Sequence, residues 1–288
     1  MKNRLFQLFL LTACVSFSFS TPIFASEPTS TQVLYQKGQS FLSAGQLTEA
    51  ADTFKQLVRQ SPKDFTAHHQ LGITYFQLGR KSEAMTEIKQ ALQLNPRFAE
   101  GHYNLGVIQD AAGNRREAQT AFKQAVTINP EYTKALIGLG EVSMDLKEYP
   151  QALEAYQIAA QQQPKNAEVF NQLGIAHRAL NQADEAVAAF RTAATLSPND
   201  PGAHNNLGVA LFQAGHIQAA IDEYKKAIAL KSDYQEAAYN LGLARQVMDS
   251  PAPTVAQYRR LDSIHTRITQ RLFGLQYTDR VGSPTFQR

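Results

Sequence analysis

Apolar and polar residues follow the period of an amphipathic helix along this chain, in two stripes that recur every 34 residues. In residues 99–132 the first stripe has spacings of three and four, which predicts that its members share one helix face. They are His102, Leu105, Gly106, Gln109 and Ala112. A second stripe predicts another helix, with Ala118, Ala121, Phe122, Ala125 and Val126 as its members. Gly113 lies between the stripes and Pro130 after them, so the pattern predicts a helix, a turn and a second helix.

The same pattern recurs along most of the chain. Glycines of the first stripe stand at Gly38, Gly72, Gly106, Gly140, Gly174, Gly208 and Gly242. Alanines of the second stripe keep the same step at Ala50, Ala84, Ala118, Ala152, Ala186 and Ala220. A repeat of this length predicts two-helix units that stack and cover one another's apolar faces. Such a stack presents a long concave surface and no single deep pocket, so we expect a binding protein and no catalysis.

Each unit also shows a Leu-Gly pair, then a large residue and a closing proline. The leucines are Leu71, Leu105, Leu139, Leu173, Leu207 and Leu241, and Lys37 stands in the first unit. The large residues are Phe54, Ile88, Phe122, Tyr156, Phe190 and Tyr224, and the prolines are Pro62, Pro96, Pro130, Pro164 and Pro198. The chain therefore resembles the tetratricopeptide repeat proteins. The resemblance implies an all-α, right-handed α-solenoid with a C-terminal capping helix, and binding of proteins or peptides.

The repeat divides the chain into segments. We predict a signal peptide or membrane anchor at 1–25, a short linker at 26–30, a capping helix at 235–249, and a basic amphipathic helix with a loose tail at 250–288. Between the linker and the capping helix we predict six units, at 31–64, 65–98, 99–132, 133–166, 167–200 and 201–234.

A column of side-chain amides precedes the glycines. We call its members the amide ladder: Gln36, Gln70, Asn104, Gln172, Asn206 and Asn240. Asparagine is a poor helix former, so helix propensity does not explain its return. The ladder resembles the asparagine ladder of protein O-GlcNAc transferases, which implies a concave position where amides bind the backbone of an extended peptide. The alternatives are a repeat consensus retained without use, or amides that satisfy groups within the stack.

The position before each ladder residue extends the candidate site. We expect its side chains to add stacking or hydrogen bonds to a bound peptide. They are Tyr35, Tyr103, Asn171, Asn205 and Tyr239. The lysine and arginine pattern of relatives that bind an acidic chain end is not visible, so we do not expect that kind of ligand.

The N-terminal segment is typical of an export signal. Basic residues at Lys2 and Arg4 precede an apolar run from Leu5 to Phe19, and small or aliphatic residues lead to Ala25. Cleavage near Ala25, retention as a membrane anchor, and lipidation of Cys14 are three possible fates. All three predict an exported protein, periplasmic or lumenal, or alternatively a membrane-anchored one or a lipoprotein.

Metal, cofactor and nucleophile chemistry find little support in the sequence. Cys14 is the only cysteine, so the repeats have no disulfide and no thiol nucleophile. His68, His102 and His204 recur at one repeat position and favour partly buried packing over metal binding. The formal net charge of +3 gives no reason to expect nucleic acid. We predict no cofactor and no metal, and the oligomeric state stays open.

The C-terminal segment carries an amphipathic stripe beside several arginines. Its apolar members are Val255, Tyr258, Leu261, Ile264, Ile268 and Leu272. A helix that caps the last unit and a helix that binds a membrane surface or a partner are the two alternatives.

The function predicted from these features is a non-catalytic scaffold or adaptor of the cell envelope, which binds a protein or an extended peptide. The alternative is an assembly factor for a membrane complex, similar to pilotins or photosystem assembly proteins. A regulatory subunit of an enzyme is a further alternative.

Overall fold

A computed structural model describes residues 29–249, which form 13 α-helices and no strand within that range. The helices are α1 Ser30–Ser43, α2 Leu47–Gln60, α3 Phe65–Gln77, α4 Lys81–Leu94, α5 Ala99–Ala111, α6 Arg115–Ile128, α7 Thr133–Asp145, α8 Tyr149–Gln162, α9 Ala167–Ala179, α10 Ala183–Leu196, α11 Pro201–Gln213, α12 Ile217–Leu230 and α13 Gln235–Met248. The all-α class predicted from the repeat is confirmed. The predicted signal segment with Cys14 and the predicted C-terminal helix and tail at 250–288 lie outside the described residues.

Local sequence signals account for the helix ends. Asp64, Asn166 and Asp200 each accept hydrogen bonds from backbone N–H groups in the first turn of the helix that follows, which satisfies donors with no partner in the helix. The turn inside each unit places one residue in the left-handed region, with φ of 84° at Gly113. Lys147 takes the same conformation at the equivalent position with φ of 61°, so the unit geometry determines this turn even where glycine is missing.

Small residues in the first helix of a unit receive the large residue of its second helix. A Cβ atom on Gly106 would lie 2.7 Å from a ring carbon of Phe122, and one on Gly140 would lie 2.5 Å from a ring carbon of Tyr156. Tyr156 is fully buried, with none of its surface exposed. The two helices of a unit are therefore held at a separation that leaves no room for a side chain at the glycine.

The stack has an inner and an outer layer. Each second helix packs on the first helix of the next unit, as α2 does on α3 and α6 on α7. First helices also contact one another, in the pairs α3–α5, α5–α7, α9–α11 and α11–α13, whereas no two second helices do so to a comparable extent within residues 29–249. The first helices therefore converge on the inner side, and their exposed faces form the concave surface.

Buried apolar residues form successive clusters along the stack. One cluster surrounds Phe54, another Phe122, and a third Phe190 and Tyr224. Each cluster includes residues from neighbouring units, so the units stabilise one another rather than fold around one centre. None of the helices within residues 29–249 has the length and apolar character needed to span a membrane.

Candidate peptide-binding surface

The amide ladder lies on the first helices, one residue for each of α1, α3, α5, α9, α11 and α13. Its members differ in exposure. Gln36 is exposed, Gln70, Gln172 and Asn206 are half-buried, and Asn104 and Asn240 are buried. The ladder therefore includes amides that solvent reaches and amides enclosed between units.

The asparagines of the ladder are bonded to the preceding unit. Asn206 Nδ2 donates to Oδ1 of Asn171 over 2.8 Å. Asn240 Nδ2 donates in the same way to Oδ1 of Asn205 over 3.0 Å. Both bonds join a residue of one first helix to a residue of the next, 35 positions along the chain. These amides hold the inner helices in register, which is one of the alternatives left open by the sequence.

Asn104 makes the equivalent bond to a histidine. Its Nδ2 lies 2.8 Å from Nε2 of His69, and an amide nitrogen donates, so His69 accepts with a neutral ring whose proton is on Nδ1. His69 is only 2% exposed, and its ring meets the Phe98 ring edge-on at 4.7 Å between centroids. Burial lowers the pKa of His69 to about 4, because the charged ring would lose its hydration here.

The glutamines of the ladder differ from the asparagines in their hydrogen bonding. Within residues 29–249, the side-chain amides of Gln36, Gln70 and Gln172 make no hydrogen bond to the protein. Gln70 and Gln172 are half-buried on the inner helices α3 and α9. An amide carries both donors and an acceptor, so these side chains present unused hydrogen-bonding groups on the concave face.

Gly138 interrupts the ladder for a steric reason. A Cβ atom at this position would lie 2.9 Å from a ring carbon of Phe122, the large residue of the preceding unit. Phe122 therefore packs against Gly106 of its own unit and against Gly138 of the next. No side chain fits at position 138 while Phe122 keeps this place.

The flanking residues are directed largely into the stack. Asn205 is fully buried, accepts from Asn240 and donates to Glu236 over 3.2 Å. The Tyr103 ring packs on Phe122 at 5.8 Å and on Tyr132 at 5.2 Å between centroids. Burial and the nearby Glu141 raise the pKa of Tyr103, so its hydroxyl stays protonated. Tyr35, Asn171 and Tyr239 are half-buried.

Two further polar links between units were not predicted from the sequence. Arg115, in the first turn of α6, contacts Asp110 of α5 at 2.7 Å and Asp145 of α7 at 2.8 Å. Arg178 Nε donates to Oε1 of Gln213 over 3.0 Å, again with a step of 35 residues. That step recurs among the inner-face bonds and would have been a usable signal, but only once it was known that position n contacts position n + 35.

The recurring histidines bind the connections between units. His68 Nε2 lies 3.1 Å from the carbonyl oxygen of Pro62, and its Nδ1 lies 2.7 Å from Glu87. His204 repeats both contacts, with Pro198 and Glu223. His102 Nε2 lies 3.0 Å from the carbonyl oxygen of Pro96. Within the described range, no three side chains of the metal-binding types form a cluster. These histidines link α3, α5 and α11 to the loops that precede them.

Comparison with protein families finds matches along the repeats. A family profile described as tetratricopeptide repeat matches residues 171–235, and another with the same description matches 41–105 and 111–173. Together they cover about two thirds of the chain. No curated protein matches the sequence at a significant level.

Solved structures with a similar fold include YrrB, described as a TPR protein with an unusual peptide-binding site. It has a TM-score of 0.62 and 22% identity, and the match covers 66% of this chain and 97% of YrrB. MamA has a TM-score of 0.54 and 25% identity, with 58% of this chain and 92% of MamA covered. MamA from Desulfovibrio magneticus RS-1 has a TM-score of 0.55 and 20% identity, covering 59% of this chain and 97% of that one. These similarities show a common repeat fold.

Proposed function

The chain belongs to the tetratricopeptide repeat family, and on this premise we propose that it is a non-catalytic scaffold whose concave face binds an extended polypeptide. Proteins of this family bind protein or peptide partners, and YrrB, of the same fold, is described as having a peptide-binding site. The observation that carries the proposal for this chain is the unused amides of Gln70 and Gln172 on the inner helices.

The chemistry of the ladder suits a main chain better than a particular side chain. An extended peptide offers an N–H donor and a C=O acceptor at each residue, and a glutamine amide pairs with both. Gln36, Gln70 and Gln172 are then the amides that contact the ligand. Asn104, Asn206 and Asn240 contribute indirectly, because their bonds to the preceding unit hold the inner helices at the spacing that the ligand meets.

Replacing the two free glutamines tests this assignment. We expect the double variant Gln70→Ala and Gln172→Ala to bind its peptide about thirtyfold more weakly, because it loses two hydrogen bonds that each contribute about 1 kcal/mol. Its unfolding midpoint should not fall, since neither amide has a partner in the free protein and alanine favours helix. Peptides selected from a random displayed library would be titrated against both proteins by fluorescence anisotropy.

A matched control uses glutamines on the outer layer. Gln56 of α2 and Gln161 of α8 are exposed on second helices, and their replacement by alanine should leave affinity unchanged. The assignment would be contradicted if the variant lacking Gln70 and Gln172 bound every selected peptide as tightly as the original protein does. The amide ladder would then not be part of the binding site.

We further propose that the protein acts outside the cytoplasm. The support is the order of basic, apolar and small residues that ends at Ala25. Mass spectrometry of the N-terminal peptide of the natural protein is expected to show a chain that begins after Ala25. A lipid-modified Cys14 or a retained Met1 in the membrane fraction would replace cleavage by one of the other two fates. An intact Met1 in the soluble cytosol would contradict export.

A further inference from the structure

The last described helix, α13, is the first helix of a unit, and no second helix follows it within residues 29–249. In the six preceding units, a Cβ on the repeated glycine would lie 2.5–2.8 Å from the large residue of the second helix. At Gly242 no heavy atom of residues 29–249 lies within 4 Å of that position, and the glycine is exposed. We call the space beside Gly242 the Gly242 slot. In every earlier unit the equivalent space is filled by Phe54, Ile88, Phe122, Tyr156, Phe190 or Tyr224.

Exposed apolar side chains accompany the slot. Among residues 29–249, three large hydrophobic residues are exposed, and all lie in the helices at the two ends of the stack. Leu230 at the end of α12 is 43% exposed and Met248 at the end of α13 is 49% exposed. The third, Val33, lies in α1. Apolar area at the open end of a stack is normally covered by a terminal element, so the C-terminal end of α12 and α13 has a surface to which a helix can bind.

The spacing of the repeat identifies the residue that fits. Each large residue follows its glycine by 16 positions, as Phe54 follows Gly38 and Tyr224 follows Gly208. The residue 16 positions after Gly242 is Tyr258, of the same type as Tyr156 and Tyr224. Three positions later the earlier units bury Leu57 or an alanine, and here the chain has Leu261. Both apolar positions of a second helix are therefore present in the segment.

The prolines of this segment stand where a helix tolerates them. Second helices begin at 34-residue intervals, at Leu47 through Ile217, and the next interval reaches Pro251. Proline is favoured in the first helical turn, where its missing N–H has no partner to lose. Pro150 already occupies the first turn of α8. Pro251 and Pro253 both stand at positions that correspond to this first turn, so they are compatible with a helix that begins there.

Two features differ from the earlier units. Thr254 stands where Ala220 and its equivalents are fully buried, and in a second helix it would add one polar atom to that contact. Asp249, at the position of the left-handed turn residue Gly215, has φ of −80°. Docking of the next segment requires a turn here, and aspartate enters the left-handed region more readily than most residues.

We propose that residues 251–264 form the second helix of a seventh unit, with the Tyr258 ring in the Gly242 slot. The occupant of this surface is this chain itself and not a partner protein or a membrane. Two residues, Asp249 and Ser250, separate α13 from the segment, where the other units have three between their helices. Such a short connection keeps the effective concentration of the segment at the slot high. The basic tail beyond position 264 then extends from the end of a closed stack.

A double-mutant cycle in the full chain tests the contact. If Tyr258 fills the slot, Gly242→Ala places a methyl group against its ring, and hydrogen exchange of the α13 amides should become about tenfold faster. Tyr258→Ala should give a similar acceleration. Combined with Tyr258→Ala, Gly242→Ala should no longer accelerate exchange, because its effect depends on the ring. Gly208→Ala provides the positive control. A Cβ at this position would lie 2.6 Å from a ring carbon of Tyr224, so hydrogen exchange of the α11 amides should become faster.

Slower exchange in α13 would contradict the proposal. With an empty slot, Gly242→Ala only replaces an exposed helical glycine by a better helix former, so exchange in α13 would become slower and the proposal would fall. Tyr277→Ala, in the same tail, should have no effect in either case. Circular dichroism of each variant establishes that the remaining units stay helical.

A fluorescence measurement gives an independent answer. The protein contains no tryptophan, so Tyr258→Trp introduces a single reporter. We expect acrylamide to quench it several-fold less than the tryptophan of Tyr277→Trp. Equal quenching of the two would overturn the proposal. Protection that appears only after phosphatidylglycerol vesicles are added would also overturn it, and would assign the segment to a membrane surface.

Discussion

Gly140→Val is expected to lower the free energy of unfolding by about 3 kcal/mol. The new side chain enters a space where even its Cβ would lie 2.5 Å from a ring carbon of Tyr156. Tyr156 is fully buried and enclosed on all sides, so its ring cannot move without opening the contact with the next unit. The better helix propensity of valine over glycine offsets only about 0.5 kcal/mol. Urea unfolding followed by far-UV circular dichroism measures the change.

An exposed helical alanine provides the control for this substitution. Ala188 lies on the outer surface of α10, and Ala188→Val adds a β-branched residue in a helix without a steric conflict. It should cost less than about 0.7 kcal/mol, which is the range of helix propensities. If Gly140→Val were as stable as Ala188→Val, close approach of the two helices would not explain the repeated glycine.

The second large effect is acid destabilisation through His69. Its pKa is about 4 in the folded protein and about 6.5 in the unfolded chain. Between these values the unfolded chain binds more protons, so the stabilisation is complete above pH 6.5 and is lost as the pH falls towards 4. A shift of this size corresponds to about 3 kcal/mol. The physical cause is that protonation places a charge in a buried site and removes the acceptor of the Asn104 amide.

Comparing the wild-type protein with His69→Gln isolates this contribution. Glutamine does not titrate and keeps an acceptor near Asn104, so the difference in unfolding free energy between pH 7 and pH 4.5 should be smaller in the variant. The pairs His68–Glu87 and His204–Glu223 are present in both proteins, so their contributions cancel. The exposed His216 provides the control, and His216→Gln should retain the full acid sensitivity. Identical pH dependence in His69→Gln and wild type would contradict the role of His69.

The polar bonds of the inner face explain why the ladder could be seen in the sequence while its role could not. Asparagine at 104, 206 and 240 and glutamine at 70 and 172 are equivalent as a column of amides. In the structure the asparagines reach the preceding unit and the two glutamines do not. The partners at 69, 171 and 205 are 35 residues away, and a repeat of 34 gives no reason to prefer that step. The predicted role of the ladder in peptide binding stays a prediction.

The sequence by itself determined the unit and its repetition. Spacings of three and four residues place Gly106 and Phe122 on the apolar stripes of two successive helices, and the 34-residue step repeats this unit. The closing prolines follow the second helices, as Pro62 follows α2. These features depend on residues close together in the chain and on helical periodicity, so a single sequence carries them.

Only the tertiary structure decided what each inner-face residue does. It shows that Gly138 is excluded from carrying a side chain by Phe122, that Asn205 is enclosed, and that Gln70 keeps its amide unused. Each of these outcomes depends on the rotation and distance between neighbouring units, which packing of large residues from one unit against another sets. Periodicity specifies which face of a helix a residue occupies, whereas the separation of two faces follows from the side chains of both.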